Sequence, residues 1–228
     1  MKTTNLTIIR HAESALNKLR ANTPVFFENS ETRDLFRNTP DHTVPITPHG
    51  SVQATQTGIH LSTNGIQYDV AVHTGYTRTK QTLEQIMKSV SVSQIRENIA
   101  FRERENGYAY AMTKDEVTEH FPWNERYWET FGQVFARPIG GENLMDVHCR
   151  VKPALQELIE KHEGKNILLV THGRVISIIR FILEDWSLEK LELFLGESSQ
   201  GPTNCGVTAY MFDAERSSTL ISYNQKYW

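Results

Sequence analysis

Two hydrophobic spacings alternate along the chain. Leu6 to Arg10 reads as a short buried strand, Asp69 to Val72 as another, and Asn166 to Thr171 (NILLVT) as the clearest buried strand of all. Between them the apolar positions recur at helical spacing. Tyr76 to Val90 carries Leu83, Ile86, Met87 and Val90, and residues 48–63 open with a proline and read as a helix. A long helix is predicted from Leu144 to His162, with Val147, Val151, Leu155, Leu158 and Ile159 as its apolar stripe. Asn143 can cap it with Asp146 as the reciprocal partner, and Gly164 can stop it. Gly173 to Glu184 reads as a further helix, and Val207 to Phe212 and Thr219 to Tyr223 as edge strands. Strands alternating with helices predict a three-layer α/β/α fold around a mostly parallel central sheet.

Two segments break the alternation. Residues 18–45 are polar and mixed in charge, and read as an insertion. Residues 105–140 are rich in aromatics, among them Tyr108, Tyr110, Trp123, Tyr127 and Phe131. Such excursions serve as lids over a site or as small satellite cores, and both outcomes stay open here. A chain of 228 residues fits a single domain over 1–228 with those two insertions. Its net charge of −3 argues against nucleic acid as a partner. No run is long enough to span a membrane, and the apolar run at the N-terminus is too short for a signal peptide. Cys149 and Cys205 do not suggest a disulfide framework, so a reduced, cytoplasmic protein is expected.

Candidate chemistry lies at the strand ends. His11 follows the first strand and His172 follows NILLVT, with Gly173 opening the next helix. In open parallel sheets ligands bind beyond the carboxyl ends of the strands, so both histidines point toward one place. Arg10 stands beside one of them, and Arg78 follows the strand at 69–72. Two guanidiniums match the oxygens of a phosphoryl group, a neutral imidazole can attack phosphorus, and a helix start at Gly173 adds backbone N–H donors.

These residues sit in segments that resemble the histidine phosphatase superfamily, the phosphoglycerate-mutase-like fold. RHAES at 10–14 is similar to its Arg-His-Gly signature, PITPHGSVQA at 45–54 to a helix start, and HTGYTRTKQT at 73–82 to the loop bearing the second arginine. FRERENG at 101–107 resembles the acid loop, GGENLMD at 140–146 a further helix start, and VTHGRVI at 170–176 the second-histidine motif. The resemblance implies a metal-independent enzyme without cofactor, acting on a small phosphorylated substrate; a homodimer is compatible with it. It makes His11 the nucleophile, Glu103 the general acid and base with Glu105 as the alternative, and His172 the second catalytic histidine. It assigns the phosphate to Arg10, Asn17, Arg78 and Gly173. His73 and Tyr108 are weaker candidates for substrate contact, and His73 reads better as a polar residue at a strand end.

The sequence departs from the pattern in places. Ala12 replaces a glycine, which matters only if that position needs positive φ. Thr74-Gly75-Tyr76 replaces Ser-Pro-Leu, so the loop before Arg78 is expected to be looser. Asn106 stands where mutases carry a tyrosine, and Arg126 and Arg137 are not the adjacent arginine pair that holds a substrate carboxylate. Phosphatase activity is therefore expected over mutase activity, and either over a non-catalytic phospho-ligand binder. The aromatic segment suggests a wall for an aryl, sugar or nucleoside phosphate. The tail Lys226-Tyr227-Trp228 is expected to pack on the edge strand rather than over the site.

Overall fold

The computed structural model describes residues 3–20, 26–63 and 65–228. Part of the segment read as an insertion, 21–25, lies outside them. The chain runs β1 (Thr4–Arg10), α1 (Ala15–Leu19), α2 (Ser30–Asp34), α3 (Pro48–Thr63), β2 (Tyr68–His73), α4 (Thr77–Ile86) and β3 (Val92–Glu97). It continues through α5 (Lys114–His120), α6 (Asn124–Phe135), α7 (Leu144–Lys161), β4 (Asn166–Thr171), α8 (Gly173–Leu183), α9 (Leu188–Gly196), β5 (Val207–Phe212) and β6 (Ser218–Gln225). The strands form one sheet in the order β3-β2-β4-β1-β5-β6. β3, β2, β4 and β1 are parallel, and β5 and β6 add antiparallel pairs.

Alternation of side chains across the sheet builds the layers. Leu6, Ile8, Val70, Val72, Ile167 and Leu169 pack on one face with α7 and α8. Ile9, Ala71, Leu168 and Val170 pack on the other with Ala54, Leu61, Leu83 and Ile86 of α3 and α4. The mostly parallel α/β architecture is as the pattern predicts. Asn143 caps α7 through the reciprocal bonds with Asp146, and Gly164 takes φ +71° three residues past the helix.

Three details differ. β3 gave no sequence signal, because its residues are mostly exposed and polar, as befits an edge strand. β5 is not an edge strand: it lies between β1 and β6, and only β6 is the edge. The C-terminal tail packs on α3 rather than the edge strand, Tyr227 stacking on His60 at 3.5 Å and Trp228 meeting His49 at 5.8 Å.

Both long excursions contribute to a satellite core. Leu16, Phe27 and Val44 are buried together, with Phe36 and Tyr110 against them. Most aromatics of the second excursion lie elsewhere. Phe121, Trp123, Tyr127 and Phe131 form a surface ladder of successive ring contacts, with Trp123 and Phe131 half exposed. Among the described residues no helix is long and apolar enough to cross a membrane.

Gly50 fixes how α3 meets the loop after β1. A Cβ at Gly50 would lie 2.3 Å from the carbonyl oxygen of Glu13. Gly50→Ala should therefore push that loop aside, costing about 1–3 kcal/mol in urea denaturation and lowering activity together with stability. An alanine variant as stable as wild type would show that helix and loop part freely.

Candidate active site

Register alone brings the two histidines together. β1 and β4 run in parallel with Arg10 opposite Thr171, so the next residue on each strand is a histidine. The His11 N–H donates to the Thr171 carbonyl at 2.8 Å, and the imidazole centroids stand 5.2 Å apart. Both are buried, His172 completely.

Hydrogen bonds set the tautomers. His11 Nδ1 donates to the Ala12 carbonyl at 2.8 Å, which leaves Nε2 with a free lone pair. The Thr79 hydroxyl donates to the Tyr76 carbonyl at 2.8 Å, so the Thr74 hydroxyl, 3.1 Å away, donates to Thr79 and accepts from Nε2–H of His172 at 3.0 Å. Nδ1 of His172 has no hydrogen-bond partner. The nearest carboxylate to it is Glu103, whose Oε2 is 3.9 Å away.

The loop carrying His11 is held on all sides. Ala12 N–H donates to Thr82 Oγ1 and Glu13 N–H to Gln53 Oε1, each at 2.9 Å. Asn204 donates to the His11 carbonyl at 2.9 Å and to Asn17 Oδ1 at 3.1 Å. Asn17 Oδ1 also accepts from Ser14 N–H, so the amide nitrogen is what remains for a ligand. Ala12 is not among the positive-φ residues, so alanine is unstrained there.

The arginines are placed in different ways. Arg10 donates to the Pro202 carbonyl at 2.7 Å, and its buried Nε has no partner. Gly173 lies against it, a Cβ there falling 3.5 Å from that Nε. Arg78, in the first turn of α4, is gripped by Asp41 from the first insertion. Nη1 meets the Asp41 carbonyl at 2.7 Å and Oδ1 at 3.0 Å, and Nη2 meets Oδ2 at 3.1 Å. That end-on fork fixes Arg78 despite the missing proline, and leaves its Nε side for a ligand.

Helix α7 organises the acid loop. Arg150 donates to the carbonyls of Ala100, Arg102 and Glu103 at 2.7, 3.0 and 3.1 Å. Glu142 fixes Arg150 with two bonds, at 2.9 and 2.8 Å. Glu103 is thereby turned toward His172. Glu105 instead faces Arg102 at 3.5 Å and the Tyr76 hydroxyl at 3.3 Å.

A cleft of about 370 Å³ opens where the two excursions meet, lined by Arg37, Asn38, Asp41, Asn106 and Tyr110 among others. It shares Asp41 with the Arg78 clamp. Tyr108 is not among the lining residues and is largely exposed; Tyr110 takes its place. His73 accepts from Gly75 N–H at 3.1 Å and faces Glu97 at the strand end, away from this cleft. The expected aromatic wall is absent among the described residues, because the ring ladder of α6 lies on the surface and Tyr110 is the one aromatic side chain that lines the cleft. No group of three His, Cys, Asp or Glu among the described residues is arranged to hold a metal ion.

Asp41, Thr74, Arg150 and Asn204 were not singled out as site residues from sequence. Thr74 and Glu142 stood inside recognised motifs, and Arg150 sits beside the apolar stripe of α7, which was a usable signal. Asp41 opens a short 3-10 turn (Asp41–Thr43) and Asn204 lies in a loop, and only the fold reveals their pairing.

Burial holds both imidazoles neutral. His11 is held well below its ordinary pKa by desolvation first, then by Arg78 and Arg10. His172 is held down by desolvation, then Arg78, His11 and Arg10. Below pH 6.5 the unfolded chain therefore binds protons that the folded one refuses, and stability falls as pH drops toward the folded values. Each histidine should cost up to about 1.4 kcal/mol per pH unit in that window. Urea denaturation of wild type and His172→Gln between about pH 7.5 and about pH 5.5 reads this, and the variant should lose less. Equal losses would contradict the account.

Known proteins share this arrangement of sheet and sequence. The chain is 30% identical over 195 residues to a 2,3-bisphosphoglycerate-dependent phosphoglycerate mutase of Cytophaga hutchinsonii, covering 82% of this chain and 80% of that protein. A protein of the same description from Mesorhizobium japonicum is 26% identical over 199 residues, covering 84% and 88%. In structure the chain is similar to the α-ribazole phosphatase of Shigella flexneri, with a TM-score of 0.72 and 19% identity over 97% of this chain and 96% of that one. The family profile described as the histidine phosphatase superfamily (branch 1) matches residues 6–225, from the first strand to the last, and the chain belongs to that superfamily.

Proposed function

We propose that the protein is a phosphatase that hydrolyses phosphomonoesters through a phosphohistidine on His11. The observation that carries this reading is the bond from His11 Nδ1 to the Ala12 carbonyl, which presents Nε2 as a nucleophile at neutral pH. Nε2 attacks phosphorus and the ester P–O bond breaks. Glu103 gives its proton to the leaving oxygen. Water then attacks the phosphohistidine, Glu103 takes the water's proton, and the P–N bond breaks to release phosphate and neutral His11.

The surrounding cations match the charge that moves. Arg10 and the free side of Arg78 bind the non-bridging oxygens, each charge-assisted bond contributing about 1.5–3 kcal/mol. Binding of a dianion favours protonation of His172, whose Nδ1 then donates to the phosphoryl group as charge spreads. Gly173 and the Asn17 amide complete the cradle. None of these steps uses a metal ion. We place the enzyme in the cytoplasm, where Cys149 and Cys205 would stay as the free thiols they are here.

A second reading, phosphoglycerate mutase activity, is favoured by the description of the relatives at 26% and 30% identity. Asn106 and the lack of an adjacent arginine pair after the acid loop favour the phosphatase. Isomerisation of phosphoglycerate that depends on bisphosphoglycerate would decide for the mutase.

His11→Ala should abolish hydrolysis across a phosphomonoester panel, and EDTA should leave wild type unaffected. Acid-labile, base-stable phosphate should label wild type and not the variant. Turnover that survives His11→Ala, or that EDTA removes, would sink the mechanism. Asp41→Ala should lower kcat/KM about tenfold, mainly through KM, because Arg78 loses its fixed orientation. A more active variant would instead mean that Asp41 competes with phosphate for the fork.

A further inference from the structure

The turn before Arg78 carries a tyrosine where the superfamily pattern has a leucine, since Thr74-Gly75-Tyr76 stands in place of Ser-Pro-Leu. Gly75 takes φ +85°. That conformation is closed to proline, whose ring fixes φ near about −65°. A Cβ at Gly75 would also lie 3.0 Å from the Glu97 carboxylate. The Gly75 N–H donates to His73 Nδ1 at 3.1 Å, and the Thr79 hydroxyl donates to the Tyr76 carbonyl at 2.8 Å. The turn is thus pinned on both sides of Gly75, along a path that a proline could not take. It delivers Tyr76 inward, where only 6% of the residue is exposed.

Three groups of the site meet on this one side chain. The guanidinium carbon of Arg78 lies over the Tyr76 ring, 4.8 Å from its centroid. The His172 imidazole meets the same ring in a T-shaped contact, with centroids 5.0 Å apart and planes at 70°. The Tyr76 hydroxyl donates to Glu105 Oε1 at 3.3 Å. Burial, then the fields of Glu105 and Asp41, push its pKa up, so the phenol stays a donor. The ring of His42, next to Asp41 on the first excursion, stands 6.3 Å away.

Each contact restrains a motion that the hydrogen bonds leave open. Asp41 grips the two Nη atoms and so holds the end of Arg78 within the plane of the fork. An electron-rich face beside that plane attracts the cation and resists rocking out of it, which would swing the free Nε edge off a ligand. Thr74 accepts from Nε2–H of His172, a single bond about which the imidazole can pivot. A ring packed against the imidazole in T geometry opposes the pivot, and Nδ1 keeps its aim. A leucine would fill part of this space but would offer no face to a cation.

We propose that Tyr76 is a positioning residue for phosphoryl transfer, whose aromatic face holds the Arg78 guanidinium and the His172 imidazole in fixed relation to each other. The role rests on His11 as the phosphoryl site, because Arg78 and His172 act only on a group bound there. Tyr76 works through these two side chains and touches no reacting atom. Its ring does the positioning. Its hydroxyl adds a tether to Glu105, which lines the cleft.

The test varies the charge distribution of the ring while keeping its shape. Tyr76→Phe retains the face and should stay within about threefold of wild type in kcat/KM toward a phosphomonoester. Pentafluorophenylalanine at position 76 keeps nearly the same outline but makes the face electron-poor. It should lower kcat/KM about tenfold below Tyr76→Phe, with kcat reduced and KM raised, and should weaken competitive inhibition by inorganic phosphate by about as much. Tyr76→Leu should resemble the fluorinated protein. A side chain that only filled space would leave the two phenyl rings equal, so their comparison stands even where Tyr76→Leu fails to fold. Equal or higher kcat/KM in the fluorinated protein, or a Tyr76→Phe as impaired as it, overturns the role of the face while leaving the His11 reading intact. Turnover retained in His11→Ala overturns both.

Discussion

The parallel pairing of β1 with β4 is the constraint on which the site depends. Each strand is buried on both faces, and a shift of one residue would exchange those faces. The core therefore locks Leu6 against Ile167 and, four steps on, Arg10 against Thr171. His11 and His172 are adjacent because they are the first residues past that locked pair. The bond from His11 N–H to the Thr171 carbonyl is the last rung of the ladder and the first contact of the active site. Hydrophobic packing thus sets the distance between two groups whose chemistry is polar.

Electrostatics then decides what the histidines are. Two buried imidazoles beside guanidiniums are held well below their ordinary pKa, which favours the neutral form. The same cations would repel one another without anions, and the protein supplies these selectively. Asp41 steadies Arg78, and Glu142 steadies Arg150 and through it the acid loop. Arg10, Arg104 and Arg174 are hydrogen-bonded to carbonyl or amide oxygens instead.

Much of this was legible in the sequence, and the limits were physical. NILLVT, the stripe of α7 and its Asn143 cap announced themselves because burial and capping restrict residue type. The strand-end positions of His11 and His172 followed from topology. β3 was invisible because an exposed edge strand needs no apolar alternation, and β5 was misplaced because the order of strands in a sheet is not written in the strands. Asp41 could not be seen, since an acidic residue in a polar loop looks like solvated surface until Arg78 is found beside it. Nothing in the sequence separates Tyr108 from Tyr110. The short helical turn from Gly107 to Ala111 sets which ring faces the cleft and which the solvent. The aromatic run after it misled for a similar reason: a ring ladder along one exposed helix has the same composition as the wall of a pocket.

Glu142 holds Arg150 and Arg102 and also accepts from the backbone N–H of Glu105 at 3.1 Å. Glu103 thus hangs from helix α7, while His11 is hung from the sheet. Of the residues that line the cleft, Glu105 hangs from Glu142 and Asp41 grips Arg78, whereas Arg37 and Asn38 make no hydrogen bond to either support among the described residues. Substitutions at Arg37 or Asn38 can reshape the cleft while leaving the 3.9 Å approach of Glu103 to His172 in place. Such a division lets one pair of histidines be inherited unchanged while the compounds the cleft accepts drift, and it locates selectable variation in the first excursion rather than in the strands.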